Sequence, residues 1–449
     1  SHKLTVHATG STMSDAISRS IDIVPDGKLF ESAENGNLDK TIETTVQIPE
    51  QAIGGASNIL VKVYPGIFST LVEGMDSIFQ MPFGCFEQTT STTYPNVLAL
   101  NYMKATNQAK PEVRMKAEQY INLGYQRLVT FEVQGGGFSW FGDAPANKVL
   151  TAYGVMEFAD MSKVWEVDPN LITRTQNWLV SKREQDGSWK ADPSYLHEES
   201  WGRIQNSNLL PTAWISWCLL KSGYQPAELA QSISYLKEHA LEAKDPYSAA
   251  LVANALVCAD KDNQATKDAL KRLLEMAKEE GDIIYWKAEV PTVTFSQGPC
   301  ADIEATALAT LALIDSGGYQ STITKALNYI VKSKSPGGTW GSTQATVMSL
   351  KALLSSIANN QPDVDASIKV IVNGQEAGQF KVTKEDSDVM RQVDCKQFVK
   401  AGKNTVKIEF SGKGSMMYAV VNKHYIPWKL LGKEPDKLIS IDVNFDRTE

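Results

Sequence analysis

The feature that most constrains this chain is a long block of helical periodicity set between two strand-like flanks. In the flanks, residues 3–64 and 366–427, apolar and polar side chains alternate with a period of two, as in half-buried strands. Between them, apolar residues recur at helical spacing. The predicted helices are 94–104, 115–130, 150–161, 172–182, 211–222, 228–240, 248–259, 266–278, 303–316, 323–332 and 344–356. A chain of 449 residues exceeds the size of most single cores, so we expect two structural units, or one interrupted by the other.

The helical block also repeats itself. Gly-rich turns that carry an aromatic residue occur at 135–140, 185–189 and 337–341, and a helix rich in small residues follows each of them. A fourth helix of this kind, at 304–309, lacks the aromatic turn. Recurrence at about 50 residues, or its multiples, is typical of stacked helical hairpins that bury a face only against their neighbours. The pattern favours a closed ring of helix pairs, an α/α toroid, over an irregular bundle of unrelated helices.

Each flank is short for an independent β-sandwich. The second flank contains a strong hairpin signal at Asn373-Gly374, between the alternating runs 368–372 and 379–382. Domain insertion is tolerated at surface sites. We therefore predict that the flanks combine into one β-domain, with strands of both in a common sheet and the helical ring inserted between them.

Bulk properties exclude several classes of partner. A net charge of −8 removes the positive surface that a nucleic-acid binder or a polybasic membrane protein needs. No run approaches the roughly 18 to 20 apolar residues of a membrane span, and the first residues lack the apolar core of a signal peptide. The five cysteines are scattered and form no CxxC pair, so we expect neither a disulfide framework nor a bound metal. Cys218 and Cys258 lie in apolar helical runs and are interpreted as small buried hydrophobes.

A Cys-x-x-Gln pair is the candidate reactive site. In the segment GCFEQ at 84–88, Gln88 is the third residue after Cys85, so in a helical turn the thiol can approach the side-chain amide carbon. A nearby helix N-terminus favours the thiolate, and its attack with loss of ammonia would close an internal thioester. From spacing alone the alternative stays open that Cys85 is a buried structural residue beside a solvated Gln88.

The neighbours of this pair are largely apolar. An internal thioester survives only where water is kept out, and the aromatic and apolar side chains nearby could help to exclude it. When the site opens, an outside hydroxyl or amine would attack the Gln88 carbonyl and release Cys85, once per molecule. The residues assigned to the surroundings of the thioester are Met81, Pro82, Phe83, Gly84, Phe86 and Glu87.

These motifs resemble the alpha-2-macroglobulin and complement thioester family. The similarity runs from the approach LVEGMDSIFQMP at 71–82, through GCFEQ, to YPN at 94–96 and YINLGYQR at 120–127. It extends over the repeats and flanks and covers nearly the whole chain. Many family members have Gly where this chain has Phe86, a departure that bears on access to the thioester ring.

The resemblance implies a mainly α fold in which a thioester domain, an α/α toroid, is inserted into a β-sandwich domain of CUB type. Residues 1–64 would be the first part of the CUB-type domain, 65–360 the toroid, 365–428 the second part, and 429–449 a linker with the start of the next domain. It also implies a secreted, periplasmic or cell-surface location, and neighbouring macroglobulin domains in the parent protein.

His197 is the second residue that the resemblance singles out. In the complement-like branch, a His at the corresponding place attacks the Gln carbonyl and forms an acyl-imidazole, after which hydroxyl groups are the favoured acceptors. The resemblance therefore implies that His197 directs transfer to hydroxyls, with Glu199 supporting it from two residues further on. The alternative is that His197 is a solvated loop residue.

The expected function is single-use covalent attachment to hydroxyls or amines of target surfaces, or to proteases, without a cofactor, metal, nucleic acid or membrane span. A second class remains open: a non-covalent binding module whose thioester is vestigial or hydrolysed. Toroids also host prenyltransferases, terpene cyclases and glycan-processing enzymes. A zinc prenyltransferase would need a third ligand besides Cys300 and Asp302, and a cyclase an Asp-rich motif; neither is found. The sequence does not exclude the two facing carboxylates of a glycan hydrolase.

Overall fold

The structure is a computed structural model. It describes residues 2–21, 23–65, 81–106, 111–192, 207–290, 292–293, 296–335, 339–357, 364–383 and 389–431. The predicted sites His197 and Glu199, the approach at 71–80 and most of the C-terminal segment 429–449 lie outside the described residues.

Six inner helices form a closed ring. They are α1 (Phe86–Thr106), α3 (Lys148–Met161), α5 (Leu209–Lys221), α7 (Pro246–Asp260), α9 (Pro299–Ser316) and α11 (Thr343–Ile357). Each packs against the next, and α11 packs against α1. In α3 and α5 nearly every residue is buried, as expected for helices that are covered on all sides.

In the part of the chain that the structure describes, five outer helices pack against this ring. They are α2 (Pro111–Val129), α4 (Pro169–Ser181), α6 (Ala230–His239), α8 (Gln264–Glu275) and α10 (Gln320–Lys332). Each buries a single apolar face, for example Ile323, Ala326 and Ile330 of α10. All eleven helices predicted from periodicity coincide with helices of the described chain.

A repeated turn joins the outer helices to the inner ones. In this turn a threonine hydroxyl near the start of an inner helix accepts the backbone N–H of an aromatic residue, at 2.8 to 3.1 Å. The pairs are Phe138 with Thr151, Trp189 with Thr212, Trp286 with Thr306, and Trp340 with Thr346. The three indole N–H groups each donate to a carbonyl of the preceding outer helix, those of Leu179, Leu273 and Ile330.

The prediction that the fourth helix lacks an aromatic turn was wrong. Trp286 supplies it, with the same two hydrogen bonds as Trp189 and Trp340. The sequence did not indicate this turn, because Trp286 has no Gly-rich motif beside it and Thr306 lies 20 positions further along the chain.

Two four-stranded antiparallel sheets form the β-region, and strands of both flanks share each of them, as predicted. One sheet has the order β10-β5-β12-β3 and the other β4-β11-β8-β9. The strands are β3 (Gly27–Leu38), β4 (Ile42–Ile48), β5 (Asn58–Tyr64), β8 (Asp365–Val372), β9 (Gln375–Val382), β10 (Arg391–Asp394), β11 (Gly402–Lys413) and β12 (Met416–Pro427). β12, from the second flank, pairs with both β3 and β5 of the first flank, so this sheet forms only when the two flanks meet.

The first 20 residues depart from the prediction that 3–64 joins one β-domain. Among the described strands, β1 (His2–Thr9) and β2 (Ser14–Ile21) pair with each other alone, and their side chains are exposed, including Leu4, Val6 and Ile17. Alternation correctly predicts strands here, but it does not determine which sheet a strand joins. A second small hairpin joins β6 (Lys278–Glu280) and β7 (Ile283–Tyr285).

The ring and the sheets touch through β3. The side-chain amide of Asn35 donates to the carbonyl of Lys334 at 2.8 Å, and β3 packs against α10. All five cysteines are free. Among the described helices, none is both long and apolar enough to cross a membrane.

Candidate functional site

Cys85 lies on the face of the ring where the inner helices begin, here called the N-terminal face. Contacts between the first turns of these helices, or between a first turn and the loop that precedes the next inner helix, define this face. They are Phe86 N to Trp140 O (2.9 Å), Trp214 Nε1 to Val149 O (3.2 Å), Val293 N to Tyr247 Oη (3.0 Å), Ser296 Oγ to Ser342 Oγ (2.9 Å) and Gln344 Nε2 to Ser91 Oγ (3.4 Å). Helix α1 starts at Phe86, so Cys85 is the residue that caps it and Gln88 lies in its first turn.

The Cys-x-x-Gln spacing folds as a capping box. In that motif the third helical residue reaches back to the backbone N–H of the capping residue. Here the backbone N–H of Cys85 donates to Gln88 Oε1 at 3.1 Å, and the backbone N–H of Gln88 interacts with the Cys85 thiol. Cysteine takes the place usually held by Ser or Thr, so the motif that starts the helix also holds the Gln88 carboxamide against the residue that bears the thiol.

Gly84 is required by this arrangement. Its φ of +78° lies in the left-handed region, and an added Cβ would stand 2.0 Å from Gln88 Oε1. The Gln88 side chain therefore folds back over a position that only glycine leaves open.

Cys85 is buried, with 9% of the residue exposed. Burial raises its pKa above the ordinary value, and the charge of Glu87 acts in the same direction. The backbone N–H groups of Gln88 and Glu87 lower the pKa, as expected of a helix N-terminus, but burial outweighs them. In this form burial keeps the thiol protonated at neutral pH, although the helix start itself favours the thiolate, as expected.

Arg127, at the end of α2, holds the turn from outside. Its Nη2 and Nε donate to the carbonyl oxygen of Gly84 at 2.6 and 3.1 Å, and Nε also lies 3.3 Å from Thr89 Oγ1. The Thr89 hydroxyl donates in turn to the Phe83 carbonyl at 3.2 Å. The guanidinium lies 5.6 Å from the ring centroid of Phe131. The turn before α1 is thus fixed by side chains on two helices.

Glu87 ties the last inner helix to the first. Its carboxylate accepts hydrogen bonds from Ser91 Oγ, one turn along α1, and from the side-chain amide of Gln344 on α11. The ring is therefore closed beside the reactive pair.

Phe86 points away from the surface. It is fully buried, stacks on Phe138 with centroids 4.9 Å apart, and meets Phe131 edge to face. A Cβ at position 154 would lie 2.6 Å from its ring, so Gly154 makes room for it. Phe86 is therefore part of the ring core beneath Cys85.

The remaining predicted surroundings divide by exposure. Pro82 is buried, whereas Met81 and Phe83 are 64% and 53% exposed. Phe141, beside the Trp140 carbonyl that bonds Phe86, is also exposed, at 61%. In the described chain these apolar side chains border the site without covering it.

His197 and Glu199 lie in the segment 193–206, outside the described residues. The residues that flank the segment lie at the N-terminal face. Asp192 accepts from the backbone N–H of Lys148 at the start of α3 at 2.8 Å and pairs with its ammonium group at 2.6 Å, and Ser207 precedes α5.

Farther along α1, Tyr94 belongs to a buried charge network. Its hydroxyl donates to Asp160 Oδ2 at 2.6 Å. Lys351 Nζ lies 2.7 Å from the Tyr94 hydroxyl oxygen and 2.7 Å from Asp160 Oδ2. Burial alone would raise the pKa of Asp160, but Lys351 and Lys163 hold it well below its usual range. One turn earlier on α3, burial raises the pKa of Glu157 well above its usual range.

Sequence reasoning missed Arg127 and Gln344 as site residues. Arg127 closes the segment 120–127 that carries part of the resemblance, which was the available signal. Gln344 stands 257 residues from Glu87, and no local pattern indicates that contact. Among the described residues, no group of three or more His, Cys, Asp or Glu could hold a metal ion.

Two comparisons with known proteins identify the family of this chain. A family model of the A-macroglobulin TED domain matches residues 58–355. Ovostatin from Gallus gallus is 26% identical over 415 residues, which cover 88% of this chain and 28% of ovostatin. The chain therefore spans less than a third of that relative's length. It belongs to the alpha-2-macroglobulin family, and residues 58–355 contain the TED, the thioester domain of that family.

Proposed function

We propose that Cys85 and Gln88 form an internal thioester through which the parent protein attaches covalently to its target. The hydrogen bond from the Cys85 backbone N–H to Gln88 Oε1, made possible by Gly84, is the observation that carries this proposal. It holds the Gln88 carboxamide against the residue that bears the thiol.

In the forming step, Cys85 sulfur adds to Gln88 Cδ, the thiol proton goes to the departing nitrogen, and the C–N bond breaks with release of ammonia. In the transfer step an acceptor oxygen or nitrogen adds to the same carbon. The C–S bond then breaks, and Cys85 regains a proton. The raised pKa of the thiol keeps it protonated at neutral pH, so ring closure requires transient loss of that proton.

Both steps place negative charge on Gln88 Oε1. The Cys85 N–H is already directed at this atom, as in an oxyanion hole. A single oxyanion-hole donor typically contributes about 10²- to 10³-fold to the rate.

We further propose that His197 receives the acyl group first and passes it to hydroxyls, with Glu199 as its support. Asp192, five residues before His197, is anchored at the N-terminal face, and five extended residues reach about 17 Å. The His197→Ala variant should lose esterification of glycerol while it still reacts with methylamine.

The closed ring of six inner helices and the five outer helices among the described residues support an α/α toroid as the fold of the thioester domain, and the shared sheets support a CUB-type domain interrupted by it. The proposed bounds are 1–64 and 365–428 for the CUB-type domain, 65–360 for the toroid, and 429–449 for a linker with the start of another domain. The proposed setting is a secreted, periplasmic or cell-surface protein with further macroglobulin domains, which captures surfaces or proteases once instead of turning over substrate.

Mass spectrometry of the purified chain tests the thioester. We expect an intact mass one ammonia below the sequence value, and conversion of Gln88 to its methylamide by methylamine. The matched control is Cys85→Ala, which should keep the sequence mass. If the thioester has formed and hydrolysed, residue 88 will be Glu in the native chain and Gln in the control. An unmodified Gln88 in both would favour the non-covalent binding module.

A further inference from the structure

The Gly84–Cys85 peptide group is hydrogen-bonded at both of its ends. Its carbonyl oxygen accepts two hydrogen bonds from Arg127, at 2.6 and 3.1 Å, and its N–H donates to Gln88 Oε1 at 3.1 Å. A guanidinium cation, one peptide unit and the acyl oxygen of the proposed thioester therefore form one continuous chain.

Such a chain has an electrostatic consequence. A hydrogen bond accepted by the carbonyl of a peptide polarises that peptide and makes its N–H a stronger donor. The effect is larger when the first donor is charged, and the planar fork of Arg fits a carbonyl oxygen with two N–H groups at once. Negative charge that develops on Gln88 Oε1 is thus stabilised by a positive charge relayed through a single peptide unit.

We propose that Arg127 is a positioning residue for the acyl transfer. By bonding the Gly84 carbonyl, it orients and polarises the Gly84–Cys85 peptide, whose N–H stabilises the oxyanion on Gln88 during both closure and cleavage of the ring. This inference rests on the proposed thioester. It goes further by naming a residue, on a different helix from the reactive pair, that sets the rate of acyl transfer.

The arrangement of α2 supports a specific role. Arg127 reaches the turn from the end of α2, packs over Phe131, and through Phe131 contacts the buried Phe86 that begins α1. Arg114, at the other end of the same helix, pairs at an exposed position with Glu118 at 2.8 Å and forms no hydrogen bond or ion pair with the described residues of the Cys85 turn. The two arginines therefore allow a comparison within one helix.

The experiment measures the second-order rate constant for conversion of the thioester to the methylamide, by intact mass, in the native chain and in R127Q, R127K and R114Q. R127Q removes the charge but can still donate a hydrogen bond, so a roughly tenfold lower rate is expected. R127K keeps the charge but loses the fork, and a roughly threefold lower rate is expected. R114Q should react within about twofold of the native chain.

A merely structural role would change the thermal unfolding midpoint and leave the rate constant of the folded fraction unchanged. Native rates in folded R127Q, or faster reaction in either Arg127 variant, would overturn the proposal. A folded R127Q that never loses ammonia would support it, because ring closure passes through the same oxyanion. If R127Q does not fold, R127K decides alone, by a rate below or equal to the native one. If the native chain itself carries no thioester and ignores methylamine, the proposed function fails independently of Arg127.

Discussion

Helix α1 carries two polar regions that are held in different ways. At its first turn, on the N-terminal face, Cys85 and Gln88 are joined by a backbone N–H. Two turns later, inside the ring, the Tyr94 hydroxyl is shared between Asp160 and Lys351, side chains on two other helices. The first region can exchange its bonds while the helices stay in place. The second joins three helices, so it cannot change without loosening the ring.

The comparison predicts that Gly84→Ala abolishes the chemistry and spares the fold. The new Cβ would collide with Gln88 Oε1, so we expect no loss of ammonia in the intact mass. The free energy of unfolding should fall by only about 1–2 kcal/mol, the cost of a strained backbone position.

Gly135→Ala is the matched control for this prediction. Gly135 also has a positive φ, +93°, but an added Cβ would meet no atom within 4 Å. The two variants should lose similar stability, and only Gly84→Ala should lose the thioester. A native yield of thioester in Gly84→Ala would break the comparison.

Asp160→Ala should have the opposite effect. Removing one member of a buried ion pair leaves Lys351 uncompensated, so we expect a loss of about 3–5 kcal/mol in denaturant unfolding. Thioester content in the folded fraction should be unchanged. Lys163, whose side chain is 55% exposed, is the control, and Lys163→Met should cost no more than about 1 kcal/mol.

The pH dependence of the same variant sharpens this test. Because Lys351 and Lys163 lower the pKa of Asp160 in the folded state, its stabilisation is present above the unfolded pKa of about 3.9 and is lost as the pH falls. Asp160→Ala should therefore show a shallower loss of stability in acid than the native chain. An equally steep acid limb in both would argue against the ion network as the source.

Thr306→Val tests the Trp286 turn, which the sequence did not indicate. The variant leaves the buried N–H of Trp286 without its acceptor, and we expect a loss of about 1–2 kcal/mol in denaturant unfolding. Thr310→Val is the control, since the Thr310 hydroxyl donates to the Thr306 carbonyl within α9 and to no other group of the described residues. Equal effects of the two variants would mean that the Trp286 turn contributes no more than a local helix contact.

Glu157→Gln should give the smallest change, and a stabilising one. Burial raises the pKa of Glu157, so its contribution to stability is complete below the unfolded pKa of about 4.3 and declines as the pH rises. The variant should unfold at a slightly higher temperature than the native chain at pH 8, and the gain should shrink at pH 5. A lower midpoint at pH 8 would show that Glu157 is ionised and paired in the fold.

Local patterns predicted the helices and failed where long-range contacts decide. Every predicted helix is present, because amphipathic spacing is a property of short segments. Helix α1 starts eight residues earlier than predicted, at Phe86. Its first turns are rich in Thr, a weak helix former, but packing within the ring overrides that propensity.

The candidate site divides in the same way. The spacing predicted that Cys85 and Gln88 lie within one helical turn, as they do, and their reaction stays a proposal. Sequence and resemblance did not indicate that Phe86 is part of the core, because its partners Phe131 and Phe138 lie more than 40 residues away. Arg127 and Gln344 were missed for the same reason. The roles of His197 and Glu199 stay predictions.

The contact between Glu87 and Gln344 has a consequence for the order of folding. A ribosome makes the reactive pair early and the helix that completes its surroundings 257 residues later. Until residue 344 has emerged, the first turn of α1 has no neighbour on that side, and contacts between such distant residues form late. Closure of the proposed thioester would thus be coupled to completion of the domain, and a chain that ends before α11 would lack the Glu87–Gln344 contact beside it.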